Sequence, residues 1–182
     1  MNPLQTLLSD CVAGHRLTGD EATLLFRTRG RDVFRIAAAA DEKREQMAGD
    51  TVTYVRNQNI NCTNICVNSC GFCGFCRKEG DNDTFLFSPS EIADQARIAR
   101  DRKVTEICTV SGLHPRYTLA SYLEIYQTIA DAAPGVHIHA SNPMEVAYAS
   151  ARSGISTREV LLAFQKAGVR SLCGTAAEIL SD

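Results

Sequence analysis

Long apolar runs are missing from this chain of 182 residues. No stretch approaches the roughly 20 apolar residues of a membrane span, so a membrane is not an expected partner. The opening, MNPLQTLLSDCVAG, lacks both a basic leading segment and an apolar core of signal-peptide length, and Asp10 before Cys11 speaks against lipoprotein cleavage. Basic charge is short as well. A net charge of -2 and a pI near 6.1 leave no basic stripe for phosphate-backbone binding, so nucleic acid is not an expected partner either. Internal repeats and low-complexity segments are absent. With 45% hydrophobic residues the chain has the profile of an ordinary soluble globular protein, long enough for one domain or part of a larger one. The expected compartment is the cytoplasm.

Cysteine is what the chain has in excess. There are eight, and in a reducing compartment that number argues for metal or redox chemistry rather than a disulfide framework. Four of them fall within CVNSCGFCGFC, residues 66 to 76, with Cys62 just upstream.

Residues 1–50 read as a helical segment. TGDEATLLF offers Asp20 as an N-terminal cap, and DVFRIAAAADEKREQMAGD sets Val33, Ile36, Ala37 and Ala40 on one stripe before Gly49 ends the helix. From Thr51, TVTYVRNQNINCTN predicts extended chain running into a cysteine loop over residues 65–87. In SPSEIADQARIARDRK, Ser88 and Glu91 make a capping box, Pro89 suits the first helical position, and Ile92, Ala96 and Ala99 line one face.

VTEICTVSG, VHIHA and VRSLCG read as three further strands. They alternate with helices around LASYLEIYQTIADAA, SNPMEVAYASARSG and STREVLLAFQKAG. Alternation of this kind implies parallel strands with functional sites at their C-terminal ends, and the cysteine loop follows the first strand at that end. The expected class is α/β, with about four βα units over residues 51–182. A closed barrel needs about eight strands, so the chain is expected to be the N-terminal half of a longer enzyme or to be completed by a partner.

Two metal chemistries fit the loop. Cys66, Cys70 and Cys73, spaced CxxxCxxC, suit three irons of a [4Fe–4S] cluster whose fourth iron stays open. With Cys76 added, the same loop suits a closed tetrahedral zinc site, as in an interaction module derived from a truncated enzyme. Cys62 and Cys76 read as bystanders, the first a buried strand residue and the second a loop thiol. Cys108 and Cys173, on the second and fourth strands, read as barrel packing, and Cys11 has no metal-like spacing to a neighbour.

CxxxCxxC with Phe72 before the last cysteine, in the loop after the first strand of a βα series, resembles the radical S-adenosylmethionine (SAM) superfamily. The resemblance implies the N-terminal half of a TIM-type barrel, and a [4Fe–4S] cluster on Cys66, Cys70 and Cys73 whose open iron chelates SAM for reductive cleavage to a 5′-deoxyadenosyl radical. It places Phe72 beside the SAM adenine, and Ser111 and Gly112 at the backbone motif that meets the SAM amino group. Ser111 departs from the glycine usual there, and Cys62 from a common aromatic.

NINCTNICVNSCGFCGF, TVSGLHP, HIHASNPMEV and GTAAEIL occur in the same order in the tyrosine-using branch of deazaflavin (FO) synthases. That branch implies transfer of a 4-hydroxybenzyl group from L-tyrosine, by Cα–Cβ cleavage, to 5-amino-6-(D-ribitylamino)uracil on the route to coenzyme F-420. It also implies a low-potential electron donor and a second synthase subunit. Radical enzymes of the futalosine route to menaquinone share the layout.

His137 and His139 alternate with Val136, Ile138 and Ala140, so both histidines share one strand face and point into the expected barrel. His139 and Glu145 are the candidate catalytic residues. Glu178 is a candidate for binding SAM, while Glu145 and Glu178 equally suit helix capping, and His114 in the loop after the second strand is a further candidate.

Overall fold

The computed structural model describes residues 2–174. The candidate SAM contact Glu178 lies outside the described residues. The chain divides into two compact units between Tyr54 and Val55.

The first unit holds three helices, α1 (Pro3–Val12), α2 (Gly19–Arg27) and α3 (Asp32–Ala48). Asn2 caps α1 by accepting from the Leu4 N–H, and α1 packs against α3. The cap of α2 is Thr18 rather than the expected Asp20. The Thr18 hydroxyl accepts from the Glu21 N–H at 3.3 Å while the Glu21 carboxylate accepts from the Thr18 N–H at 2.8 Å. Such reciprocity satisfies two orphan donors at once, and Asp20, two residues later, has no equivalent pairing among the described residues. In α3, Ile36 is half-buried, but Val33, Ala37 and Ala40 are exposed, so the expected stripe is not a core face. Gly49 ends α3 at a φ of 59°, where glycine carries no Cβ penalty.

The second unit is a four-stranded parallel sheet in the order β1-β2-β3-β4, formed by β1 (Asn57–Asn59), β2 (Glu106–Thr109), β3 (His137–Ala140) and β4 (Val169–Ser171). The expected extended run from Thr51 contributes only three paired residues to β1. Val52, Tyr54 and Val55 are exposed, because β-branched residues form a strand only where a neighbour accepts the ladder. Cys62 is buried as expected, but in the segment after β1 rather than on it.

The connecting helices are α4 (Pro89–Asp101), α5 (Leu119–Ala132), α6 (Pro143–Ser153) and α7 (Thr157–Lys166). Reciprocal capping boxes start α4 at Ser88 and Glu91, α6 at Asn142 and Glu145, and α7 at Ser156 and Glu159. The core uses the strand alternation directly. Ile107 and Thr109 on β2 and Ile138 and Ala140 on β3 are buried, whereas Glu106, Cys108, His137 and His139 on the opposite face are only partly so. From the helices come Ile92, Ala96 and Ala99 of α4, Tyr122, Tyr126 and Ile129 of α5, and Val160 and Phe164 of α7. Phe164 stands edge-on to Tyr126, with ring centroids 5.0 Å apart and planes at 84°. This geometry aligns the positive ring edge with a negative face.

Phe164 therefore anchors α7 to α5. Phe164→Ala is expected to lower unfolding free energy by about 3–5 kcal/mol in urea titrations, as for other large aromatic-to-alanine cavities.

Candidate functional site

The cysteine loop leaves β1 through a segment whose polar side chains are buried because they close the loop at its base. Thr63 forms an antiparallel bridge with Leu86, and its hydroxyl donates to the Phe85 carbonyl at 2.7 Å. The Asn64 amide donates to the Asp83 carbonyl at 2.9 Å and its oxygen accepts from the Phe85 N–H at 2.9 Å. The Phe87 N–H donates to the Cys62 carbonyl at 2.8 Å. One layer further out, the Arg77 N–H donates to Asn64 O at 2.9 Å and the Cys66 N–H to Arg77 O at 3.0 Å. Lys78 Nζ then reaches the carbonyls of Cys66, Val67 and Asn68 at 2.9, 3.2 and 2.7 Å. The polar NINCTN run is the sequence signal for Thr63 and Asn64, whereas nothing local announces Lys78.

A second support comes from the chain after β2. At Gly112 an added Cβ would lie 2.3 Å from the Ile65 carbonyl oxygen and 2.8 Å from its carbon. Only glycine permits this approach, one residue before Cys66. The contact is bonded on both sides. The Gly112 N–H donates to Thr63 O at 2.9 Å, the Val67 N–H donates to Leu113 O at 2.9 Å, and the Cys62 N–H donates to Ser111 Oγ at 2.8 Å.

Glu145 links this segment to α6. Its carboxylate accepts from the Ser111 N–H at 3.3 Å and the Asn142 N–H at 3.0 Å, and the residue is 2% exposed. Burial raises its pKa to about 7, and the two backbone N–H bonds only partly oppose that rise. Structurally it is a helix cap that also holds the loop after β2. His114 is buried, and its Nδ1 accepts from the Arg116 N–H at 3.2 Å, which leaves the ring proton on Nε2. That Nε2 has no partner among the described residues, and burial lowers the His114 pKa.

The loop thiols differ in setting. Cys70 and Cys73 are exposed, Cys66 is half-buried, and Phe72 between the last two is 82% exposed. The Cys76 thiol donates to the Asn68 carbonyl at 3.2 Å. Burial pushes the Cys62 thiol up to about 11, in keeping with an inert core residue. One tetrahedral zinc with bonds of about 2.3 Å needs its sulfurs about 3.8 Å apart. Among the described residues, the ligand groups that converge within 4.8 Å do not include the loop thiols. Ligands to separate irons of one cluster have no such need to crowd, and a short loop with two open thiols and a fixed Cys66 backbone fits such a cluster.

On the inner face of the sheet His137 and His139 point the same way, as expected, and meet a residue not anticipated. Ser171 Oγ lies 2.7 Å from His137 Nε2 and 2.6 Å from His139 Nδ1. Glu106 accepts from the Asn57 amide at 2.7 Å and lies 4.0 Å from His137. The structure thus brings together Ser111, Gly112 and Glu145 with the base of the cysteine loop, and His137 with His139.

A sequence profile of the Radical SAM superfamily matches residues 60–176, and the chain belongs to that superfamily, whose members use a [4Fe–4S] cluster and SAM. Among curated proteins it is 64% identical to a 5-amino-6-(D-ribitylamino)uracil--L-tyrosine 4-hydroxyphenyl transferase from Methanosphaerula palustris, over 98% of this chain and 49% of that protein. It is 40% identical to an FO synthase of Streptomyces coelicolor, over 92% of this chain and 19% of that one. The chain thus spans about half the length of the transferases it matches. Its fold is shared with a crystal structure of methylornithine synthase (TM-score 0.63, 17% identity, 92% of this chain and 58% of that one). A maturase of the [FeFe]-hydrogenase also shares it (TM-score 0.70, 17% identity, 91% and 35%).

Gly112→Ala should leave the far-ultraviolet spectrum of the helices in place but displace the Ile65–Val67 backbone. Iron and sulfide per chain after anaerobic reconstitution are expected to fall by more than half. Glu145 gives a pH signature. Its ordinary value is 4.5 and its folded value about 7, so the neutral form is favoured by the fold. Its stabilising contribution is complete below pH 4.5 and is lost as pH rises through about 7. Relative to Glu145→Gln, the protein should lose about 3 kcal/mol of stability across that window, read by urea unfolding at several pH values.

Proposed function

We propose that this chain provides the cluster-binding and SAM-binding half of a transferase that moves the 4-hydroxybenzyl group of L-tyrosine to 5-amino-6-(D-ribitylamino)uracil in FO biosynthesis. The observation that carries the reading is the 64% identity to a transferase of that name over 98% of this chain, a span that includes the whole latched cysteine loop. In this reading the cluster and SAM, when bound, supply a 5′-deoxyadenosyl radical that takes a hydrogen atom from tyrosine.

The protein's own groups then have distinct tasks. Cys66, Cys70 and Cys73 would hold three irons of the cluster, while Cys76, whose thiol is engaged with Asn68 O, would stay outside the ligand set. Phe72 is free to cover the adenine. The N–H groups of Ser111 and Gly112 are committed to Glu145 and Thr63, so what this segment offers the SAM amino group is its carbonyls. Glu145 acts as a positioning residue through Ser111. His137, His139 and Ser171 present donors and acceptors on the inner face, suited to the polar edge of a uracil or a tyrosine carboxylate. A low-potential electron donor, a cytoplasmic setting and a second synthase subunit complete the proposal. No described helix is long and apolar enough to cross a membrane.

Anaerobic reconstitution should give a brown protein, and together with the remaining half of the transferase it should form 5′-deoxyadenosine in the presence of tyrosine and the aminouracil. Cys66→Ala, Cys70→Ala and Cys73→Ala should each abolish cluster binding, whereas Cys76→Ala should keep it. Turnover with a futalosine-route substrate and none with tyrosine would overturn the substrate assignment. Zinc with four sulfur neighbours on the loop cysteines, and no iron taken up on anaerobic reconstitution, would overturn the cluster.

A further inference from the structure

Cys108 and Cys173 lie outside the cysteine loop, and the fold brings them together. Cys108 is in register with His139 across the β2–β3 pair, on the inner face. Cys173 follows β4 by two residues, and its position is fixed by its N–H, which donates to Ser141 O at 2.8 Å. The two sulfurs are 3.6 Å apart, and the Cys173 sulfur is 3.8 Å from the His139 carbonyl. A ring nitrogen of His139 completes a set of three ligand atoms, all within 4.8 Å of one another and all half-buried.

Two thiols this close invite either a disulfide or a metal, and a third donor discriminates. β2 and β4 flank β3, and His139 on β3 places a ring nitrogen within 4.8 Å of both sulfurs. A disulfide would leave that imidazole unused, whereas a metal takes all three donors. Two thiolates on one tetrahedral zinc need sulfurs about 3.8 Å apart, close to the separation already present. We propose that Cys108, Cys173 and His139 form a site for a thiophilic divalent metal, zinc by preference, on the inner face of the sheet.

The donors are right for that ion. Two sulfurs and an imidazole are the soft-to-borderline set that selects zinc over magnesium or calcium, and three protein ligands leave a fourth position open. The surroundings also orient the ligand. Ser171 Oγ lies 2.6 Å from His139 Nδ1, so the hydroxyl holds the ring in orientation as outer-shell partners of metal-bound histidines do. His137 shares the same hydroxyl, and Glu106, His137 and His139 form a second converging group through the common His139. All three ligands sit on or directly after paired strands, so binding costs little rearrangement. An ion here ties β2 to β4 across β3.

The test uses the 182-residue chain loaded anaerobically with its cluster, so that the loop cysteines are committed to iron. Zinc is then titrated against a chromophoric chelator, and the bound ion is examined by zinc-edge X-ray absorption. One zinc per chain is expected beyond the cluster, with two sulfur neighbours and at least one nitrogen, and with iron content unchanged. Cys108→Ser and Cys173→Ser should each weaken binding by about 100-fold, and Ser171→Ala by about tenfold through the loosened imidazole. A zinc with four sulfurs, a zinc with oxygen neighbours only, or an affinity equal to wild type in both serine variants overturns the proposal. So does saturation at less than a tenth of an equivalent. Circular dichroism and retained iron establish that each variant is folded when it is titrated.

Discussion

The close approach of Gly112 to the Ile65 backbone is the constraint on which the rest of the site depends. A main chain can pass so near another only where a side chain is missing, and the gap it leaves is too small for any Cβ. Once that approach is made, Thr63 O, Val67 N–H and the Ser111 hydroxyl all find partners between the two segments. The loop after β2 and the root of the cysteine loop become one rigid piece. Glu145 extends the piece to α6, at the cost of burying a carboxyl group, so a helix cap and the floor of the site share one residue.

Much of the architecture was legible because it is written in local rules. Ser88, Asn142 and Ser156 each precede a glutamate by three residues, and a capping box needs nothing beyond its own turn. The alternation in HIHA likewise sorted Ile138 and Ala140 from His137 and His139 without any knowledge of neighbouring strands. The misassignment of the α2 cap to Asp20 has the same origin. Thr18 and Asp20 are both good capping residues, and only the reach of Glu21 back to Thr18 decides between them.

What could not be read belongs to the pairing of distant segments. Ser171 meets both histidines because β4 is set beside β3 with an irregular register between Ile138 and His139. No pattern within VRSLCG announces that irregularity. Cys108 and Cys173, taken singly, look like core residues, and their convergence arises from two crossovers and the curvature of the sheet. The apolar stripe of α3 failed for a related reason. Periodicity predicts which residues share a face, but burial depends on whether anything arrives to cover it.

The latch at the root of the cysteine loop uses a threonine hydroxyl, an asparagine amide and backbone groups, and no thiol takes part in closing it. The groups that close the loop are thus separate from the thiols that would hold metal, the reverse of the situation in a zinc finger, where the ligands themselves are the closure.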